Sequence, residues 1–129
     1  MTNQRDVLDY LTDIAAAIDA AQAFVADMTS AQFRADQRTV YAVTHALEIV
    51  GEAAKRIPKS VRGQYPAVPW RLMAGMRDRL IYGYNMVDLD VLWKTVTEDL
   101  PTTRPLVAEA LLAERAATGE PPDPQPPPA

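Results

Sequence analysis

The sequence contains no cysteine and only one histidine, His45, among its 129 residues. Without cysteine the chain can form neither a disulfide nor a thiolate metal site, and one histidine argues against a transition-metal centre. We therefore expect no metal ion and no cofactor. The absence of cysteine is also compatible with a reducing cytosol.

Long apolar runs are missing as well. No uninterrupted apolar run is long enough to span a bilayer or to form the core of a signal peptide. Alanine and leucine outnumber the β-branched and aromatic residues that favour strands, although 48% of the residues are apolar. These features predict a soluble, cytoplasmic, all-α protein that folds as an antiparallel bundle of four to five helices.

The ends of the chain differ in composition. We assign residues 1–117 to one helical domain and residues 118–129 to a disordered tail, because six of the 11 prolines fall in the last nine residues. A proline-recognising partner for this tail is an alternative to an inert terminus.

The formal net charge of −4 argues against a protein that coats nucleic acid non-specifically, because such binding depends on neutralising phosphates. Positive charge is nevertheless concentrated locally. Seven of the 13 basic residues lie between positions 55 and 79: Lys55, Arg56, Lys59, Arg62, Arg71, Arg77 and Arg79. This segment is either a nucleic-acid-binding surface or a solvated basic face.

Apolar periodicity, prolines and the capping residues Thr29 or Ser30, Asp36 and Asp88 predict the helix boundaries. We expect a loop at 59–68 with a possible short turn near Ser60, and a close helix approach at the small residues Gly51 and Ala54. The last helix should bury Leu106, Ala110, Leu111 and Leu112. The predicted helices cover residues 4–27, 36–57, 70–83, 88–98 and 101–117, with a short turn from Thr29 or Ser30 to Phe33.

One polar residue interrupts an apolar stripe in the predicted helix that begins at Trp70. The stripe consists of Trp70, Met73, Leu80 and Tyr84, and Arg77 takes the position between Met73 and Leu80. Burying a guanidinium is costly unless it is paired. Either Arg77 pairs with Asp78, Glu48 or Glu52, or the stripe opens there onto a cleft or a second subunit. Gly83 is expected to end the helix, with Tyr82 in its last turn and Tyr84 just beyond.

The same stretch carries a recognisable motif. Arg77-Asp78, a three-residue spacer and Tyr82-Gly83-Tyr84 resemble the motif of the HepT-like toxins of MNT/HepT type VII toxin-antitoxin systems, in the HEPN superfamily. That motif is an Arg, usually Asn or Asp, a short spacer, a His, one residue and a Tyr. Tyr82 occupies the position of the histidine. Segments 51–58, 68–71, 74–78 and 87–93 also resemble recurring family segments, in the same order.

The resemblance implies a metal-independent endoribonuclease. Arg77 would stabilise the negative charge that develops on the phosphate, Asp78 would position Arg77, and the motif histidine would transfer protons. A phenol such as Tyr82 titrates near pH 10 and an imidazole near 6.5, so we expect a weakened or inactive enzyme. The sequence leaves open a divergent member, an inactive relative kept for binding, and a deliberate detoxifying substitution.

The resemblance also implies partners. We expect a homodimer in which the Arg77 to Tyr84 segments face a shared cleft, an RNA substrate and no membrane. An MNT-type nucleotidyltransferase antitoxin would neutralise the toxin by adenylylating Tyr84. The alternative function is a non-catalytic HEPN dimer that acts as the binding partner of this nucleotidyltransferase.

Overall fold

The computed structural model describes residues 4–82 and 86–119, with side chains at 7–79 and 87–119. It confirms the all-α prediction, with one very short pair of strands added. The elements in chain order are α1 Gln4–Phe24, α2 Ser30–Ala35, α3 Gln37–Arg56, α4 Lys59–Gln64, α5 Trp70–Ala74, α6 Met76–Leu80, β1 Ile81–Tyr82, β2 Met86–Val87, α7 Leu89–Lys94, a π turn Thr95–Asp99 and α8 Leu100–Thr118.

The core lies where α1 packs against α3 and α8. Each helix contributes apolar side chains at three- and four-residue spacing, and each buried Leu, Ile or Val side chain stabilises the fold by about 1.5–3 kcal/mol. Fully buried members are Leu11, Ile14 and Ile18 of α1, Val43, Leu47 and Val50 of α3, and Leu100 and Val107 of α8. No helix in the described ranges is both long and apolar enough to cross a membrane.

Further side-chain contacts join the helices to one another. Arg104 of α8 donates from Nε to the Oδ1 of Asp19 of α1 at 2.8 Å and from Nη2 to its Oδ2 at 3.1 Å. These hydrogen bonds raise the pKa of Arg104. On the other side, the ring of Phe33 in α2 lies 5.2 Å from that of Trp93, and Arg34 forms a salt bridge with Asp90.

The predicted caps are confirmed. Thr29 begins α2 with a capping box: Gln32 N donates to Thr29 Oγ1 at 3.1 Å and Thr29 N donates to Gln32 Oε1 at 2.9 Å. Asp36 caps α3 by accepting from Thr39 N at 3.2 Å. Asp88 caps α7 by accepting from two backbone N–H groups, both at 3.1 Å.

Two segments differ from the prediction between α3 and β1. The expected loop after Pro58 folds as α4 over Lys59–Gln64, because the Pro58 carbonyl starts a helix by accepting from Val61 N and Arg62 N. The helix expected to reach Gly83 ends at Leu80. Beyond it Ile81 and Tyr82 pair antiparallel with Val87 and Met86, which suits β-branched and aromatic residues.

The last two predicted helices form one continuous rod. The break expected at Pro101 is replaced by the π turn, in which Leu100 N donates to Thr95 O, five residues back. Pro101 has no N–H to donate to Thr97, so this wider turn accommodates it. Leu112 was wrongly assigned to the core, since it is 66% exposed, and Val107 is buried instead. Gly119 ends α8 with φ +76°, and the predicted tail beyond it lies outside the described residues.

Candidate functional site

The prediction that Arg77 faces the core is wrong. The helix is interrupted at Gly75, whose φ of −90° and ψ of 0° separate α5 from α6. Met76 follows Met73 by three residues, which is ordinary helical spacing, and takes the next buried position, while Arg77 is exposed. Because Arg77 is exposed, its charge is not desolvated on folding, and it needs no acidic partner to offset burial.

The predicted ion pairs of Arg77 are also wrong. Arg77, Asp78 and Arg79 are all exposed on α6, and none of them forms a salt bridge with another described residue. Glu52 instead approaches the amine of Lys55 at 3.8 Å. Within the described part of the chain, the guanidinium of Arg77 therefore presents its full charge to solvent.

The beginning of α6 is held against α3 at Gly51, where close approach was predicted. A Cβ atom at Gly51 would lie 3.3 Å from Met73 O, 3.6 Å from Ala74 O and 3.9 Å from Arg77 N. Only a residue without a side chain lets the backbone approach this closely without adjustment. The Arg77 main chain thus lies beside Gly51, in the second-last turn of α3.

Six of the seven basic residues of the segment from Lys55 to Arg79 are exposed. Between positions 55 and 79 the only acidic residue is Asp78. Arg62 is the half-buried exception, and its Nε has no hydrogen-bond partner among the described residues. The exposed basic residues are Lys55, Arg56, Lys59, Arg71, Arg77 and Arg79. A surface of this charge is suited to anionic ligands such as phosphate groups.

The two motif tyrosines are only partly covered by the structure. Tyr82 lies in β1 with Met86 as its strand partner, so the prediction that it belongs to the last helical turn is wrong. Tyr84 and Gly83 lie outside the described residues. Strand β1 begins directly after α6, and Tyr82 follows Arg77 by five residues in the sequence.

The single histidine lines a different feature. His45 is exposed, and it borders a groove of about 300 Å³ between α1 and α3. The groove is lined by Tyr10, Asp13, His45, Glu48, Ile49, Glu52, Ala53 and Arg56. In the part of the chain that the structure covers, no three His, Asp or Glu side chains are grouped to hold a metal ion.

A buried polar contact between Tyr65 and Glu114 of α8 was not predicted from the sequence. Tyr65 donates from its hydroxyl to the Oε1 of Glu114 at 2.7 Å, and Glu114 is only 3% exposed. Burial and this contact with Glu114 raise the pKa of Tyr65 to about 12. The Tyr65 carbonyl in turn accepts from Trp70 Nε1 at 3.0 Å. The contact therefore fixes the start of α5, which leads into α6.

Comparisons with known proteins agree on one family. The family model described as "Ribonuclease HepT-like" matches residues 14–110. A Thermococcus cleftensis protein named "Probable ribonuclease HepT" is 48% identical over 101 residues, which cover 78% of this chain and 92% of that protein.

Two Methanocaldococcus jannaschii proteins that carry provisional RNase names are 40% and 39% identical to the chain. Each match covers 76% of this chain, and the matches cover 84% and 81% of those proteins. No solved structure gives a significant match. The length of the family match and the identity of these relatives show that the chain belongs to the HepT-like ribonuclease family.

Proposed function

We propose that the chain is the toxin of an MNT/HepT type VII toxin-antitoxin system and that its ribonuclease site is centred on Arg77. Family membership supports the reaction class. The observation that carries the location is the exposed Arg77 on α6, unpaired within the described residues and held against α3 at Gly51. A charged guanidinium on a rigid backbone is what phosphate recognition requires.

The proposed reaction cleaves RNA without a metal ion. The ribose 2′-oxygen attacks the adjacent phosphorus, the bond from phosphorus to the 5′-oxygen breaks, and a 2′,3′-cyclic phosphate forms. A base removes the proton of the 2′-hydroxyl and an acid protonates the leaving 5′-oxygen. Arg77 would bind two phosphate oxygens through its planar guanidinium and stabilise the added charge. Asp78, next to it on α6, forms no salt bridge with Arg77 among the described residues, so its proposed role in positioning Arg77 would begin when RNA is bound.

Tyr82 limits the proposed activity. At neutral pH about one unperturbed phenol in a thousand is ionised, so the side chain is a poor base where an imidazole would be half protonated near pH 6.5. A positioned acid or base accelerates such reactions by ~10²–10⁴-fold. We infer that most of this factor is missing and that the chain as written cleaves RNA weakly or not at all.

The test compares the unaltered chain with Tyr82→His and with Tyr82→His combined with Arg77→Ala, in buffer containing EDTA. Cleavage of a fluorescent single-stranded RNA should rise ~10²-fold or more in Tyr82→His and return to baseline in the double variant. Efficient cleavage by the unaltered chain that disappears in Tyr82→Phe would show that the phenol itself is catalytic. No cleavage by Tyr82→His would contradict the assignment of Arg77 and position 82 to the site.

A second candidate function follows from the presence of Tyr82 at the position of the motif histidine. A HEPN dimer without the motif histidine keeps the surfaces needed to bind an MNT-type nucleotidyltransferase while it lacks the means to cleave RNA. In that case Tyr82→His would still bind the nucleotidyltransferase in a pull-down but would not gain ribonuclease activity. The two candidates therefore differ in the activity of Tyr82→His and not in the binding of the antitoxin.

A further inference from the structure

We propose that Lys55, in the last turn of α3, forms a second phosphate-binding position beside Arg77, so that the RNA backbone passes from α6 onto α3. This inference rests on the proposed ribonuclease function, because it takes RNA as the ligand. It adds a binding residue outside the Arg77 to Tyr84 motif and assigns it a backbone phosphate.

The geometry starts from the contact at Gly51. The Arg77 backbone nitrogen would lie 3.9 Å from a Cβ at Gly51, so α6 crosses α3 at this residue. Lys55 follows Gly51 by four residues and therefore lies on the same side of α3, about 6 Å further along the helix axis. Two exposed cations, one on each helix, thus flank one contact point.

The electrostatics favour an exchange of partners at Lys55. The side chain is 45% exposed, and among described residues it pairs only with Glu52, which is 53% exposed, at 3.8 Å. A long ion pair between exposed side chains contributes little to stability. A phosphate oxygen in direct contact with the amine would make a shorter, charge-assisted hydrogen bond. Lys55 can therefore leave Glu52 for RNA at little cost.

A structural role is the competing explanation for this lysine. Cations in the last turn of a helix stabilise it by interacting with the negative end of the helix dipole. That role requires no RNA and predicts an effect on unfolding alone. The experiment must therefore measure both RNA binding and the stability of each variant.

The experiment measures binding of a fluorescein-labelled single-stranded RNA with 2′-O-methyl riboses, which cannot be cleaved, by fluorescence anisotropy at several salt concentrations. Lys55→Gln should weaken binding roughly tenfold and reduce the salt slope by about 0.7. Lys55→Arg should restore both. Glu52→Gln should tighten binding, because it removes the competing carboxylate.

Arg38→Gln is the matched control. Arg38 is an exposed cation on the same helix, 17 residues before Lys55 and so about 25 Å away along the axis. Its loss should leave the affinity and the salt slope unchanged. Equal losses for Lys55→Gln and Arg38→Gln, or no loss in either, would overturn the inference. A loss of RNA affinity in Lys55→Gln that only accompanies a lower melting temperature would also overturn the inference. If the unaltered chain and Tyr82→His both fail to bind any RNA, the proposed function itself fails.

Discussion

The hydroxyl of Tyr65 and the carboxylate of Glu114 meet at 2.7 Å although the two residues are 49 positions apart in the chain. Glu114 is buried in α8, and Tyr65 belongs to the connection between α4 and α5. The indole of Trp70 donates to the Tyr65 carbonyl and, at 3.2 Å, to that of Arg62. The start of α5, which leads into α6 and Arg77, is therefore joined to α8 through Tyr65 and Glu114.

Tyr65→Phe should lower the free energy of unfolding by about 1–3 kcal/mol, because it leaves a buried carboxylate oxygen without its donor. Glu114→Gln keeps an acceptor for the hydroxyl and should cost less than Glu114→Leu, which removes it. Urea titrations followed by circular dichroism measure these differences. Equal stability of Tyr65→Phe and the unaltered chain would mean that the hydrogen bond contributes nothing net.

The same contact predicts a pH dependence. The pKa of Tyr65 is about 12 in the folded state, against 10 for an unperturbed phenol. Because the folded pKa is the higher one, the contribution of Tyr65 is fully present below pH 10 and is lost as the pH rises toward 12. The stability difference between the unaltered chain and Tyr65→Phe should therefore be constant up to about pH 10 and shrink above it. A difference that changes between pH 6 and 9 would point to another group.

Gly51→Val should destabilise the protein by about 1–3 kcal/mol, since its side chain would collide with the backbone carbonyls of Met73 and Ala74. Gly63→Val is the matched control, because no atom of the described residues lies within 4 Å of a Cβ at Gly63 in α4. It should leave the urea midpoint nearly unchanged. Equal effects of the two substitutions would show that α6 can move away from α3 without cost.

Because the chain contains no cysteine, a single introduced cysteine can test the proposed dimer. If the Arg77 to Tyr84 segments face each other across a two-fold axis, Asp78→Cys introduces the only thiol close to that axis. Mild oxidation should then give a disulfide-linked dimer on a non-reducing gel. Arg38→Cys should not form this product. Light scattering of the unaltered chain should give the mass of a dimer, and a monomer at micromolar concentration would contradict the proposal.

The proposed antitoxin reaction makes Tyr84 the modified residue. Co-expression with the cognate nucleotidyltransferase should add an adenylyl group to the unaltered chain and to Tyr82→Phe but not to Tyr84→Phe. A bulky anion at this position would compete with RNA phosphate for Arg77 or Arg79. Intact-mass and peptide mass spectrometry decide the site, and an adenylyl group on Tyr82 would rule out the assignment.

Local signals in the sequence were enough to predict where α2, α3 and α7 begin. Thr29, Asp36 and Asp88 each cap the element that follows, because a cap depends on residues only two or three positions away. Gly51 was also predicted correctly as a point of close approach. These features needed no knowledge of which helices pack together.

The errors come from ambiguous helical periodicity and from contacts between distant segments. Periodicity allows the buried residue after Met73 to lie three or four positions on; the four-residue choice placed Arg77 in the core, whereas Met76 is buried and Arg77 is exposed. The motif identified Arg77 as a candidate residue, but periodicity alone did not show its exposure. Tyr65 and Glu114 gave no local signal, because neither residue type is expected to be buried before the partner is known.

The π turn at Thr95–Asp99 sets the number of residues between two parts of one long helix. Apart from Thr95, the buried positions on this rod are spaced by four and four before α8 and alternately by three and four within it: Leu92, Val96, Leu100, Thr103, Val107, Ala110 and Glu114. Deleting one residue from the turn would rotate α8 by about 100° relative to α7. Val107 would then leave the core and Glu114 would leave Tyr65. This turn should therefore tolerate exchanges of residue type far better than a one-residue insertion or deletion.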